Sequence, residues 1–268
     1  MMRKNYRALK AFGIVIVVAL VSSLFLGCLA GGQGATVDAI KKRGTLIVGT
    51  SSGFPPFESI NRTTGAVEGF DIDIAQKIAD ELGVELVVQD LDFPVLIGSV
   101  KTGLIDMAIA AMTITETRAQ SVDFSNSYFR ADQAILVTSD RTDINNPDDL
   151  TGKKIAVNAA TTGYYWVLDN LVSTGKVAES DVHSFGFASD AILELTSGRV
   201  DAVVIDKPVA DAYVARSTGL KAVYTIVTNE HYGIAMKKGS TDLVDFVNNV
   251  LKGMTDSGAM EELVAKWF

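Results

Sequence analysis

The chain predicts an α/β protein of two similar lobes. Three observations carry that prediction: strand and helix patterns alternate along the body, one helix-to-strand motif occurs twice, and two extended segments cross between the copies. The motif reads LIGSVKTGLIDMAIAA over residues 96–111 and AILELTSGRVDAVVID over 191–206. Aligning Gly103 with Gly198 also superposes Asp106 on Asp201. In each copy a short apolar helix pattern breaks at glycine, turns through aspartate and enters a run of small and β-branched residues, as a helix feeding a buried parallel strand reads. The first copy leads into Thr113, Thr115 and Arg118 and the second ends on Asp206. Ligands of open α/β sheets bind outside the carboxyl ends of the strands, so two facing copies bring these groups to one crevice.

In order along the body, Leu46–Val48 is a strand running into a loop with Ser51, Ser52, Gly53, Phe54, Pro55, Pro56 and Phe57. A helix follows from about Asp71, with Ile74, Ala75, Ile78, Ala79 and Leu82 on one face and Gly83 as its stop. Glu85–Gln89 is the next strand, and Phe93 opens the helix of the first repeat. The second lobe repeats this order after the Asp148–Gly152 turn: Lys154–Val157 is a strand, and Asn158, Thr161, Thr162 and Gly163 take the place of the first lobe's phenylalanine-bearing loop. The chain leaves lobe one near Tyr128–Asp132, enters a strand at Ala134–Thr138, and returns near Asn229–Gly233 into Ile234–Met236. Two such crossings make a hinge. Leu243–Phe268 reads as one final amphipathic helix on lobe one.

The N-terminus has its own logic. Arg3, Lys4, Arg7 and Lys10 precede an uncharged run from Ala11 to Leu26, the basic start and apolar centre of a secretory signal peptide over residues 1–27. A membrane anchor is the alternative, but the run is short for the roughly 20 residues a span needs. Cys28, the chain's single cysteine, follows Gly27 as the cysteine of a lipobox does, although Phe25 stands where an aliphatic residue is usual. A plain thiol is the other reading. Residues 28–43 are expected as a tether, with lobe one at 44–131 and 234–268 and lobe two, with the hinge strands, at 132–233. With the leader's four bases set aside, 20 Lys and Arg face 32 Asp and Glu, a net charge of −12. So acidic a body argues against nucleic acid. His183 and His231 lie far apart in a chain without HxxH, HExxH or CxxC, so no metal or other cofactor is expected.

The stretches GFDIDIAQKIADELG at 69–83, MTITETRAQSVDFSNSY at 112–128 and GRVDAVVIDKPVA at 198–210, in this order and spacing, resemble the extracytoplasmic solute-binding proteins of ABC importers. The likeness is to the polar amino-acid branch (family 3), with its histidine-, lysine/arginine/ornithine- and glutamine-binding members, and covers Gly44 to Phe268. It implies two Rossmann-like lobes of the periplasmic binding protein type II, joined by two strands. These would close over one free amino acid per monomer and hand it to a membrane permease, with an N-terminal lipid holding the protein at the membrane. No enzyme is implied. The alternatives are a catalyst on the same scaffold, such as a cyclohexadienyl dehydratase, and a ligand-sensing ectodomain.

The resemblance also assigns a site. A zwitterion needs a forked cation for its carboxylate and an acid for its ammonium. Arg118 matches the carboxylate-binding arginine, Thr113 the hydroxyl beside it, and the Ala111 backbone an acceptor for the ammonium. On spacing alone Arg118 could equally be a surface residue paired with Glu116 or Asp123. Asp206 matches the ammonium-binding aspartate, although it also precedes Lys207 and Pro208 as a helix cap would. Thr161 and Thr162 match the second lobe's contribution to the carboxylate, with Ala160 in place of the usual glycine before them. Phe54 and Phe93 match aromatics flanking the ligand side chain, where core packing is the alternative. Ser51 stands where relatives that take basic amino acids carry an aspartate, and Asn158 where the glutamine-binding relative has a polar group. Glutamine is therefore the first expectation and arginine or another basic amino acid the second. The second gains if Glu58 or Asp92 points inward.

Overall fold

The computed structural model describes residues 36–268, so the leader, Cys28 and the start of the tether lie outside the described residues. The end of the expected tether is helical: α1 spans Val37–Arg43. Thr36 Oγ1 caps it by accepting from the Ala39 N–H, Gly44 ends it at φ 80°, and Ile40 is buried. The reason is local, since a capping threonine, Asp38 in the first turn and three bases in the last all favour a helix there.

The first sheet contains β1 (Thr45–Thr50) and, after the small hairpin of β2 (Ser59–Ile60) and β3 (Val67–Glu68), α2 (Phe70–Leu82) and β4 (Glu85–Asp90). Gly69 makes the hairpin-to-helix join possible, because a Cβ there would lie 1.9 Å from the Phe57 carbonyl oxygen. A helical turn at Phe93–Val95 leads into α3 (Leu96–Thr102), then β5 (Met107–Ala108), α4 (Glu116–Ala119) and β6 (Val122–Phe124). The second sheet contains β7 (Phe129–Thr138) and β8 (Ile155–Asn158), then, after α5 (Thr162–Val167), β9 (Val182–Phe185). After α6 (Ala188–Thr196) come β10 (Ala202–Asp206), α7 (Lys207–Arg216) and β11 (Leu220–Tyr232). β12 (Ala235–Lys237) returns to the first sheet, followed by α8 (Thr241–Ser257) and α9 (Ala259–Trp267).

The two sheets are built alike. Their orders are β4-β1-β5-β12-β6 and β11-β7-β10-β8-β9. In each, three parallel strands are followed by an antiparallel strand delivered by a crossing, β12 in the first sheet and β7 in the second. The repeat has a structural cause. Asp106 accepts the Ile47 N–H at 2.8 Å and pairs with Arg43; Asp201 accepts the Lys154 N–H at 2.8 Å and pairs with Arg141. In both lobes the aspartate after the left-handed glycine (Gly103, φ 77°; Gly198, φ 71°) ties the new strand to the start of its parallel neighbour.

Two further expectations change. The crossing strands are longer than expected: the crossing segments are themselves parts of β7 and β11, which pair with each other along their length. The tail is two helices, because Gly258 adopts φ 83° and turns the chain. α9 then docks on α2 through Lys266 and Trp267, which both donate to Asp73 Oδ2 at 2.6 and 2.7 Å. Among the described residues no helix is long and apolar enough to cross a membrane.

Candidate ligand-binding site

The carboxyl ends of β1, β5, β8 and β10 converge on one narrow cavity, lined by Ser51, Phe54, Glu58, Phe93, Ala110, Ala111, Thr113, Arg118, Asn158, Thr161, Thr162 and Asp206. All ten residues singled out in the sequence are brought together here, with Ala110 and Glu58 in addition.

Arg118 is buried, with 9% of its surface exposed, and its guanidinium hydrogen bonds go to backbone carbonyls. Thr115 caps the short α4 by accepting the Arg118 N–H at 3.2 Å. The guanidinium donates from Nη1 to the Thr113 carbonyl at 2.6 Å and from Nη2 to the Ala160 carbonyl at 2.9 Å, and lies 5.2 Å from the centre of the Phe93 ring. The guanidinium thus turns to these carbonyls rather than to a surface pairing, and Asp123 pairs with Lys238 at 2.9 Å. Burial lowers the pKa of Arg118, opposed first by the charge of Glu230 and then by that of Asp206. Ala160 keeps the left-handed backbone that glycine would take there (φ 59°), and this aims its carbonyl at Arg118. For a residue with a Cβ that conformation costs roughly 1–2 kcal/mol. Across the cleft Ala111 is also left-handed, at φ 44°, and its N–H donates to Asp71 Oδ2 at 2.7 Å.

Asp206 occupies the cap position of α7 but makes no capping hydrogen bond. Its Oδ1 instead accepts the Tyr232 hydroxyl at 2.5 Å. Burial first, and then the charge of Glu230, push its pKa up to about 7 against the pull of the Tyr232 hydrogen bond. Thr161 caps α5, accepting from the Tyr164 N–H and donating to the Asn158 carbonyl at 2.7 Å. Asn158 spends both amide protons on the carbonyls of Phe185 and Gly186, each at 2.9 Å, which leaves its Oδ1 as an acceptor. Ser51 is buried with no partner for its hydroxyl among the described residues.

Glu58 and Asp92, both candidates for an inward-facing acid, separate. Asp92 lies against Gly186 and does not line the cavity. Glu58 does line it, at 1% exposure and with Oε2 unpartnered among the described residues. Burial, and then neighbouring Asp71, hold its carboxyl well above the usual range. Sequence reasoning missed Asp71, itself raised to about 7 by burial, and Glu230, which takes the hydroxyl protons of Thr113 and Thr162. The one available signal was a glutamate within the otherwise uncharged crossing TIVTNEHYG.

Residues 46–268 match the model of the bacterial extracellular solute-binding proteins, family 3. The L-cystine-binding protein TcyJ of Escherichia coli is 30% identical over 95% of this chain and 93% of its own. A solved variant of ArgBP from T. maritima is 43% identical, with a TM-score of 0.81 over 87% of this chain and 98% of that one. An ancestral arginine-binding protein, solved with arginine and again with glutamine, is 42% identical, with TM-scores of 0.79 and 0.78 over 84% of this chain and 99% and 98% of those chains. The chain belongs to the bacterial extracellular solute-binding proteins, family 3. It is a type II binding protein that works outside the cytoplasm, a receptor rather than an enzyme.

An ammonium placed against Asp206 is held by the ionised carboxylate only. With a pKa near 7 in the folded chain, the ionised fraction falls as pH drops through 7. Affinity for an amine-bearing solute is expected to weaken by up to about tenfold per pH unit between 7 and 5. Calorimetry across that range checks it, and a flat profile counts against Asp206.

Proposed function

We propose that the amino acid this chain captures for its ABC importer carries a hydrogen-bond-donating side chain, with arginine ahead of glutamine. The α-carboxylate would lie on Arg118 and the α-ammonium on Asp206, so that each end of the zwitterion meets a buried opposite charge. The observation that carries the preference is Glu58, a buried carboxyl in the cavity with an unpartnered oxygen. Together with the free Oδ1 of Asn158 it makes the remaining lining rich in acceptors. Glutamine was favoured in the sequence because Ser51 replaces an acid; Glu58, from the same loop, returns a carboxyl to the cavity and shifts the weight to a cation. Arriving beside Glu58, a guanidinium would favour its ionised form and gain a charge-assisted bond, roughly twice as strong as a neutral one. The relatives support this reading, since ArgBP and the ancestral protein are arginine binders and the latter also holds glutamine. In direct competition arginine is expected to win by tenfold or more, and Glu58→Gln to remove most of that advantage, about 1.4 kcal/mol, while leaving glutamine within threefold. Glutamine winning on the unaltered chain overturns the preference.

The rest of the proposal rests on the sequence, with its two crossing segments and its basic start and apolar run before Cys28. Residues 44–131 with 234–268 would move as one body and 132–233 as the other, closing about β7 and β11. Residues 1–27 would be removed, with Cys28 acylated as the new N-terminus to keep the receptor beside its permease. Mass spectrometry of membrane-extracted protein is expected to find the lipid on Cys28; a mature N-terminus at any other residue overturns the anchor.

A further inference from the structure

We propose that Glu230 is the latch of the closed cleft, a carboxylate rooted in a crossing strand that takes a hydroxyl proton from each lobe at once. Its Oε2 accepts from Thr113 Oγ1 at 2.5 Å and from Thr162 Oγ1 at 2.6 Å, while Oε1 accepts from Gln133 Nε2 at 3.0 Å. Thr113 belongs to the first lobe, just beyond β5, and Thr162 is the first residue of α5 in the second. Their hydroxyl oxygens are 3.5 Å apart. Opening the cleft must withdraw at least one of them from a carboxylate that stays with β11, so these bonds favour only the closed state. A contact made in one of two states shifts the population toward that state.

The backbone around Glu230 is shaped to hold it. Between Ile226 and Glu230 β11 advances four residues while its partner β7 advances two, from Gln133 to Ala131. The surplus is a bulge with Asn229 at φ 52°, pinned by Asp132 Oδ1, which accepts the N–H groups of Thr228 and Asn229 at 2.9 Å each. Bulges re-aim side chains, and this one precedes a glutamate that is 7% exposed. A buried carboxylate needs such partners.

The latch changes the roles of the two threonines. A hydroxyl has one proton. Both protons are committed to Glu230, so in this conformation neither threonine donates to a solute carboxylate, which is left to Arg118 and backbone N–H groups. Thr113 and Thr162 would then act on affinity through closure, as positioning residues, and Glu230 would set how far the equilibrium lies toward closure.

The test is single-molecule fluorescence transfer between labels on exposed Leu104 and Leu193, each replaced by cysteine in a chain carrying Cys28→Ser. It is read first without amino acid, so the result does not depend on which amino acid binds. Glu230→Gln and Thr162→Val are each expected to cut the closed fraction at least threefold with melting temperature little changed, and the double variant to behave as Glu230→Gln alone. With arginine as probe, dissociation from Glu230→Gln is expected to be about tenfold faster. If Glu230→Gln does not fold, Thr162→Val, which leaves the glutamate in place, decides. A closed fraction unchanged in the variants, losses that add in the double variant, or an unaltered chain that is never closed without amino acid each overturns the latch.

Discussion

The arrangement depends on one constraint: the guanidinium of Arg118 is buried, yet among the described residues it forms no ion pair with a carboxylate. An uncompensated charge in a protein interior is expensive, and breaking a buried pair typically costs 3–5 kcal/mol. Here the chain offers two carbonyls, an aromatic face and the more distant charges of Asp206 and Glu230. One carbonyl comes from each lobe, so the cation's surroundings are complete only when the lobes are together. Even the strained backbone fits this account, because the left-handed turn at Ala160 presents the carbonyl that Arg118 uses. A solute carboxylate is the natural counterpart of such a group, being planar, anionic and bidentate.

The duplicated architecture brings one buried group of each charge type to the cleft. Each sheet ends its parallel strands at the cleft, one leading after β5 to Arg118 on α4 and the other to Asp206 at the end of β10. The crossing strands do more than connect. Through Tyr232 on Asp206 and Glu230 on the two threonines, β11 reaches into the polar groups of both lobes. Fold and site share residues, so the hinge cannot move without changing the hydrogen bonds that line the cavity.

Much of this was legible in the sequence because it rests on local signals. Gly103 and Gly198 read as helix stops, Asp106 and Asp201 as their echoes, and Thr113, Arg118 and Asp206 as polar groups beyond the apolar runs, while the rest of the cavity lining was named from the resemblance to the solute-binding family. What escaped depends on distant contacts. Glu230 is placed by a bulge whose pin, Asp132, lies almost a hundred residues earlier. Asp71 reads as an ordinary first-turn acid, yet it is buried beneath Ala111 and Tyr128. The break at Gly258 was hidden because a single glycine is tolerated within an amphipathic helix as readily as it ends one. For Asp206 local pattern left a helix cap open beside the ligand role, because it cannot show the hydroxyl of Tyr232 that its carboxylate accepts.

The central claim, that a buried and unpaired Arg118 is completed by the carboxylate of the solute, is tested most directly by removing that carboxylate and nothing else. Calorimetry would compare arginine and glutamine with their α-carboxamides on the unaltered protein. The amides keep side chain and ammonium but cannot compensate the guanidinium. This account predicts binding at least about a hundredfold weaker for each amide, in line with the cost of leaving a buried charge unpaired. Amides that bind within threefold of the free amino acids would contradict it.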